Sequence, residues 1–272
     1  MQAASLPARA GSLWVQQGWR IFRSQPVAFF AWTMFVSMIL MLASVTPPIG
    51  PIVFVVLMPL VTFVSLAACR EAVAGKRLQP ALWLAPLRPP RIVKRLLGMG
   101  ALYMLVCLLV GLLSFLPFMT EIADAVQSAT TTNNLMPLFD AARTPMTIFA
   151  VLYVLLAGLF WYAPALVGWW ETPLWQSLFF SGIACWRNKW AFLVYGLVWG
   201  SIFIGIDLAA TLLVAIGLPE SIAASAQVPF NVIAGAVLYC SFYPSYVSVF
   251  EQPGGTDESN RTDVPPETPA SS

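Results

Sequence analysis

Asp207 is the one carboxylate of this 272-residue chain expected inside an apolar span, so intramembrane chemistry would centre on it. Thr211 follows one helical turn later, and Asn231, near the outer end of the next span, can reach across the hairpin. At about 1.5 Å per residue, Asp207 lies about 5 Å outside the midplane of its span. A carboxylate at that depth is costly unless it is protonated, hydrogen-bonded or open to water. Such a group can carry a proton or bind a cation, and it can equally be a structural hydrogen-bonding residue. With no basic partner and no second acid in the spans, the structural reading carries more weight.

Little other chemistry is encoded. Histidine is absent, which removes the commonest general base and metal ligand together. Cys69, Cys107, Cys185 and Cys240 are widely spaced, without a C-x-x-C pair, and read as reduced, buried thiols. There is no nucleotide loop, nucleophile elbow, pair of catalytic carboxylates or metal cluster. We therefore expect no catalytic residues, no metal, no cofactor and no enzyme. The second candidate chemistry is anion binding. Arg20, Arg23, Arg88, Arg91, Lys94, Arg95, Arg187 and Lys189 flank the spans and are candidate contacts for anionic lipid headgroups. Their first role is to orient the chain, and nucleic-acid binding is excluded because they are tied to the bilayer without an accompanying motif.

The elements that must position these residues follow from composition. At 59% hydrophobic, 10% charged and a mean hydropathy of +0.78, the chain has more apolar surface than a soluble core of this size encloses. It is expected to be all-α: a polytopic membrane protein with six transmembrane helices arranged as three hairpins, each preceded by a cytoplasmic interfacial helix. The spans are placed at about 26–46, 52–69, 97–119, 146–169, 191–216 and 228–250. The first is too long for a signal-peptide core and is expected to remain. Of the 14 basic residues, 13 fall on one side of this scheme and only Arg143 on the other, which puts both termini in the cytoplasm. Residues 10–25 form an amphipathic helix expected to hold Trp14 and Trp19 at the interface. The segment between the third and fourth spans, with Glu121, Asp124, Asp140 and Arg143, reads as an outside connector in which Ile122, Ala125 and Val126 can continue a helix past the membrane and Leu135 to Ala142 can form a second short one. The Pro- and Ser-rich stretch 251–272 reads as a disordered tail, leaving 1–250 as one membrane domain.

Internal repetition supports the three-unit scheme. An offset of 80 places Pro164, Val167 and Glu171 on Pro244, Val247 and Glu251; an offset of 164 places Gly18 and Arg23 on Gly182 and Arg187. Each inward-running helix carries a proline, Pro59, Pro164 or Pro244, serving either as a packing kink or as a hinge. Thr172 is expected to cap a helix whose first residue is Pro173. Gly196 and Gly200 form a small-xxx-small pair, either an internal packing face or a dimer face. Tyr239, Tyr243 and Tyr246 read as interfacial anchors.

Tyr162-Ala163-Pro164-Ala165-Leu166-Val167, Pro173, Ser181 and Ala184-Cys185-Trp186-Arg187-Asn188, with Gly18-Trp19-Arg20-Ile21-Phe22 and Ala67-Ala68-Cys69-Arg70-Glu71, resemble a group of proteobacterial inner-membrane proteins. More distantly they resemble YciC-type proteins and the membrane-anchor domain of some glycerophosphodiester phosphodiesterases. The resemblance covers about residues 8 to 250. It implies a six-helix protein of the bacterial inner membrane and transfers no catalytic residues. The expected partners are membrane lipids, with a homo-oligomer or an envelope protein as further possibilities. The expected function is structural, lipid- or protein-interacting; the alternative is a small transporter or channel with a polar site near Asp207.

Overall fold

The structure, a computed structural model, describes residues 3–251, so all but the first residue of the expected disordered tail lies outside the described residues. Every regular element among them is helical, and six helices are long and apolar enough to cross a membrane. In chain order they are α1 (Ala10–Ser24), α2 (Pro26–Ser44), α3 (Ile49–Val73), α4 (Pro80–Leu84), α5 (Pro90–Phe115), α6 (Met119–Thr132), α7 (Met136–Phe160), α8 (Ala163–Trp170), α9 (Leu174–Arg187), α10 (Lys189–Ala215) and α11 (Glu220–Phe250). Proline in the first turn starts α2, α4 and α5, where a missing N–H has no helical partner to lose.

The spans pair as three hairpins: α2 with α3, α5 with α7, and α10 with α11. The short helices α1, α4 and α9 precede these hairpins in sequence, but each packs on a different one. Helix α4 lies on α3, α9 lies on α7 and α8, and α1 lies on α10 and α11. Each unit is thereby stapled to the hairpin before it, and α1 closes the series by returning to the last. These three form a collar around one end of the bundle, here termed the basic end. Both ends of the described segment lie there, joined by the hydrogen bond from Ala4 N–H to the Val249 carbonyl, 2.9 Å.

Helix α1 differs from its expectation. It lays Gly11, Trp14, Gly18, Ile21 and Phe22 against α10 and α11. Trp14 is 1% exposed and donates its indole N–H to Ser248 Oγ at 2.9 Å, so only Trp19 remains at the surface. Glycine makes the close approach possible: a Cβ on Gly18 would stand 2.7 Å from the Ser241 Cα. Gly182, its equivalent in α9, would place a Cβ 2.8 Å from a Leu159 methyl.

At the far end, α5 continues through a 3₁₀ turn at Leu116–Phe118 into α6, a run of 43 residues. At about 1.5 Å per residue this is about 65 Å, twice the hydrocarbon thickness of about 30 Å. The helix thus continues past the expected span end through Ile122, Ala125 and Val126, with Ala125 and Ala129 of α6 packed toward α7, while the second short helix expected at 135–142 is the start of α7. The chain reverses at Asn133, whose φ is 50°.

Candidate functional site

The return helices α3, α8 and α11 meet at the basic end. Trp169 packs against Phe63, Tyr243 and Tyr246, and the Trp170 indole donates to the Tyr246 hydroxyl at 2.7 Å. Tyr246 is fully buried there and is not an interfacial anchor. The three prolines behave differently. Helices α3 and α11 run unbroken through Pro59 and Pro244, whereas the chain bends between α7 and α8 just before Pro164. Ser181 of α9 repairs that break: its hydroxyl accepts from Tyr162 N–H at 2.9 Å and donates to the Gly158 carbonyl at 2.8 Å. Those two groups would pair directly in an unbroken helix, and a hydroxyl inserted in the ladder satisfies both.

A single residue separates each of two collar helices from its span, and its side-chain amide holds the peptide leading into another collar helix. Gln25, between α1 and α2, accepts from Leu78 N–H and donates to the Lys76 carbonyl, each at 2.7 Å, just before α4. Asn188, between α9 and α10, accepts from Leu6 N–H at 2.8 Å and donates to the Ala4 carbonyl at 2.9 Å, just before α1. The third junction uses arginine, with Arg95 donating to the Glu171 carbonyl at 2.8 Å and Arg91 within 3.5 Å of the Glu171 carboxylate, ahead of α9. Sequence reasoning missed this role for Gln25 and Asn188. The available signal was a polar pair at the same point of two repeats, Ser24-Gln25 and Asn188-Lys189, which reads from sequence as an ordinary helix boundary. Thr172 is displaced by one position from its expected role. Helix α9 begins at Leu174, and the Thr172 hydroxyl donates back to the Leu166 carbonyl at 3.0 Å.

The candidate headgroup residues gather at the basic end, shared among its three junctions. Arg20, Arg23, Arg88, Lys94, Arg187 and Lys189 are exposed, while Arg91 and Arg95 are committed to Glu171. Lys189 sits over the Trp186 ring at 4.8 Å. On α9, Trp175, Phe179, Ile183 and Trp186 form an exposed apolar stripe, while Ser177, Leu178, Ser181 and Ala184 face the protein. A helix apolar on both sides with cations at its end fits the plane where protein, hydrocarbon and headgroups meet. Burial pushes the Cys185 thiol of this helix up to about 12, against the opposing effect of a hydrogen bond with Ser181.

Asp207 stands on the exposed side of α10, and its carboxylate accepts a hydrogen bond from the Gln227 amide of α11. Thr211 donates to the Asp207 main-chain carbonyl at 2.9 Å and does not touch the carboxylate. Asn231 is exposed, one turn beyond Gln227, so the α11 partner of Asp207 is Gln227. Gly196, Gly200 and Gly205 have open space where a Cβ would be, so none of them serves packing among the described residues. Hollows among the described residues include one of about 530 Å³ beside Ser24 and Arg77, one of about 390 Å³ along α10 at Val194 and Ser201, and one of about 510 Å³ between the far ends of α2 and α3. Asp207 lines none of these three. Among the described residues, no group of His, Cys, Asp and Glu could hold a metal ion.

Fold and site together define a polytopic α-helical membrane protein, three hairpins bound at one end by a basic collar. The chain is 34% identical over 273 residues, 97% of this chain and 100% of the relative, to a protein of Burkholderia thailandensis described as a probable inner membrane protein. It belongs to that protein's family. No family profile matches the chain, and no solved structure matches it.

Proposed function

We propose that the protein is a non-enzymatic structural component of the bacterial inner membrane that engages anionic lipids, and through them or directly other envelope proteins, by its collar. The observation carrying this reading is the collar's construction. Its helices are built into the fold by Gln25, Asn188 and Arg95, while six cations and the α9 aromatic stripe are left outward. The positive-residue bias makes the basic end, with both termini, cytoplasmic. The expected likeness to YciC-type proteins and to the phosphodiesterase membrane anchor belongs to this proposal, since both denote helical membrane modules.

The experiment is purification of the intact chain from membranes with identification of the lipids and proteins that accompany it. Enrichment of anionic phospholipids over their membrane abundance supports the reading; recovery at bulk abundance with no protein partner overturns it. The second reading, a small transporter or channel, rests on Asp207. It requires Asp207→Asn to abolish a measured flux without loss of folding.

A further inference from the structure

We propose that the hollow beside Ser24 and Arg77 is a discrete binding site for the phosphate of an anionic glycerophospholipid in the leaflet at the basic end. This deepens the lipid-engaging role proposed above and rests on it. The hollow, about 530 Å³, lies between the α1–α2 junction (Ser24, Gln25), the end of α3 (Ala72) and the peptide into α4 (Gly75, Arg77, Gln79). Its shape is held by the Gln25 amide, which fixes the Lys76–Leu78 peptide from both sides. Its charge is unbalanced. Lys76 is paired with Glu71 at 2.6 Å, whereas Arg77 makes no ion pair among the described residues. Arg23 adds a second exposed cation immediately before Ser24.

Exposed apolar residues lie close to this lining in sequence, where the spans begin and end. Val27, in the first turn of α2, is 81% exposed, and Val73, at the end of α3, is 60% exposed. A hollow with Arg77 in its lining, close in sequence to two bare valines at the ends of α2 and α3, matches an amphiphile with its phosphate on Arg77 and its acyl chains along α2 and α3. A free anion gains nothing from these valines. Arginine suits this ligand because its planar donors meet phosphate oxygens two at a time.

The test is native mass spectrometry of the full-length protein in detergent, titrated with phosphatidylglycerol, phosphatidylcholine or inorganic phosphate. Wild type should bind phosphatidylglycerol in preference to phosphatidylcholine. Arg77→Ala and the size-conserving Arg77→Gln should each weaken phosphatidylglycerol about tenfold, as expected for one charge-assisted contact. Arg143→Ala, at the far end, should change nothing. Unaltered binding in both Arg77 variants overturns the site. If they bind normally while an Arg187→Ala, Lys189→Ala pair loses lipid, the collar role survives and this site does not. Loss of phosphatidylglycerol to millimolar inorganic phosphate would reassign the hollow to a free anion and overturn the lipid form. Wild type with no anionic preference overturns the site and the collar role together.

Discussion

Asn188 holds the N-terminal peptide with an amide that cannot be replaced piecemeal. It is 1% exposed and uses both ends, accepting from Leu6 N–H while donating to the Ala4 and Ala184 carbonyls. Asn188→Ala removes these bonds and leaves buried main-chain groups unsatisfied, at a cost of about 2 kcal/mol. That raises the population with a released N-terminus about thirtyfold, to be read as faster tryptic cleavage at Arg9 in the folded protein. Asp207→Asn should behave oppositely, because the asparagine carbonyl can still accept from Gln227; its unfolding midpoint in detergent should match wild type. Cys185, with its thiol held up to about 12, is protonated at pH 8. In a variant with Cys185 as the sole cysteine, alkylation should accelerate about tenfold per pH unit from 8 to 11, where an ordinary thiol would level off near 9.

At the level of elements, the α7–α8 break and the collar crossings are packing devices with calculable tolerances. Ser181→Ala leaves Tyr162 N–H and the Gly158 carbonyl without the bridging hydroxyl and should cost about 1–3 kcal/mol of stability in detergent. Gly18→Ala should cost more than Gly182→Ala, although the two glycines are repeat equivalents. The added methyl meets the Ser241 main chain at 2.7 Å in the first and a movable Leu159 methyl at 2.8 Å in the second. Comparing the thermal unfolding of both variants checks this directly. The repeats and the glycine equivalence were legible in the sequence. Which of the two crossings is rigid was not, because that depends on whether a backbone or a side-chain end faces the glycine.

For the whole molecule, closure of the collar by α1 has a consequence for assembly. A chain lacking residues 1–24 should keep its α2–α3 and α5–α7 hairpins yet lose protection of α10 and α11. Their halves nearer the basic end pack against Trp14, Gly18 and Phe22. Hydrogen exchange in nanodiscs would show the loss confined to α10 and α11; uniform destabilisation would contradict the stapled arrangement. Reporter fusions after Thr130 and at Ser272 should fall on opposite sides of the membrane, the second in the cytoplasm.

Hydropathy and the distribution of lysine and arginine were enough, without coordinates, for six spans, three hairpins and one basic end, because bilayer thickness and charge transfer act on each segment locally. The collar partners, the burial of Trp14 and Tyr246, and the pairing of Asp207 with Gln227 instead of Asn231 required the tertiary structure. These depend on which helix crosses which, and at what height. An amphipathic helix carries the same apolar stripe whether lipid or a neighbouring helix covers it, so α1 and α9 look alike in sequence. Gly11 and Gly18 bring α1 against α10 and α11, whereas α9 also turns Trp175, Phe179 and Trp186 outward. That three-dimensional difference separates a helix serving mainly as a staple from one that also leaves an apolar stripe exposed.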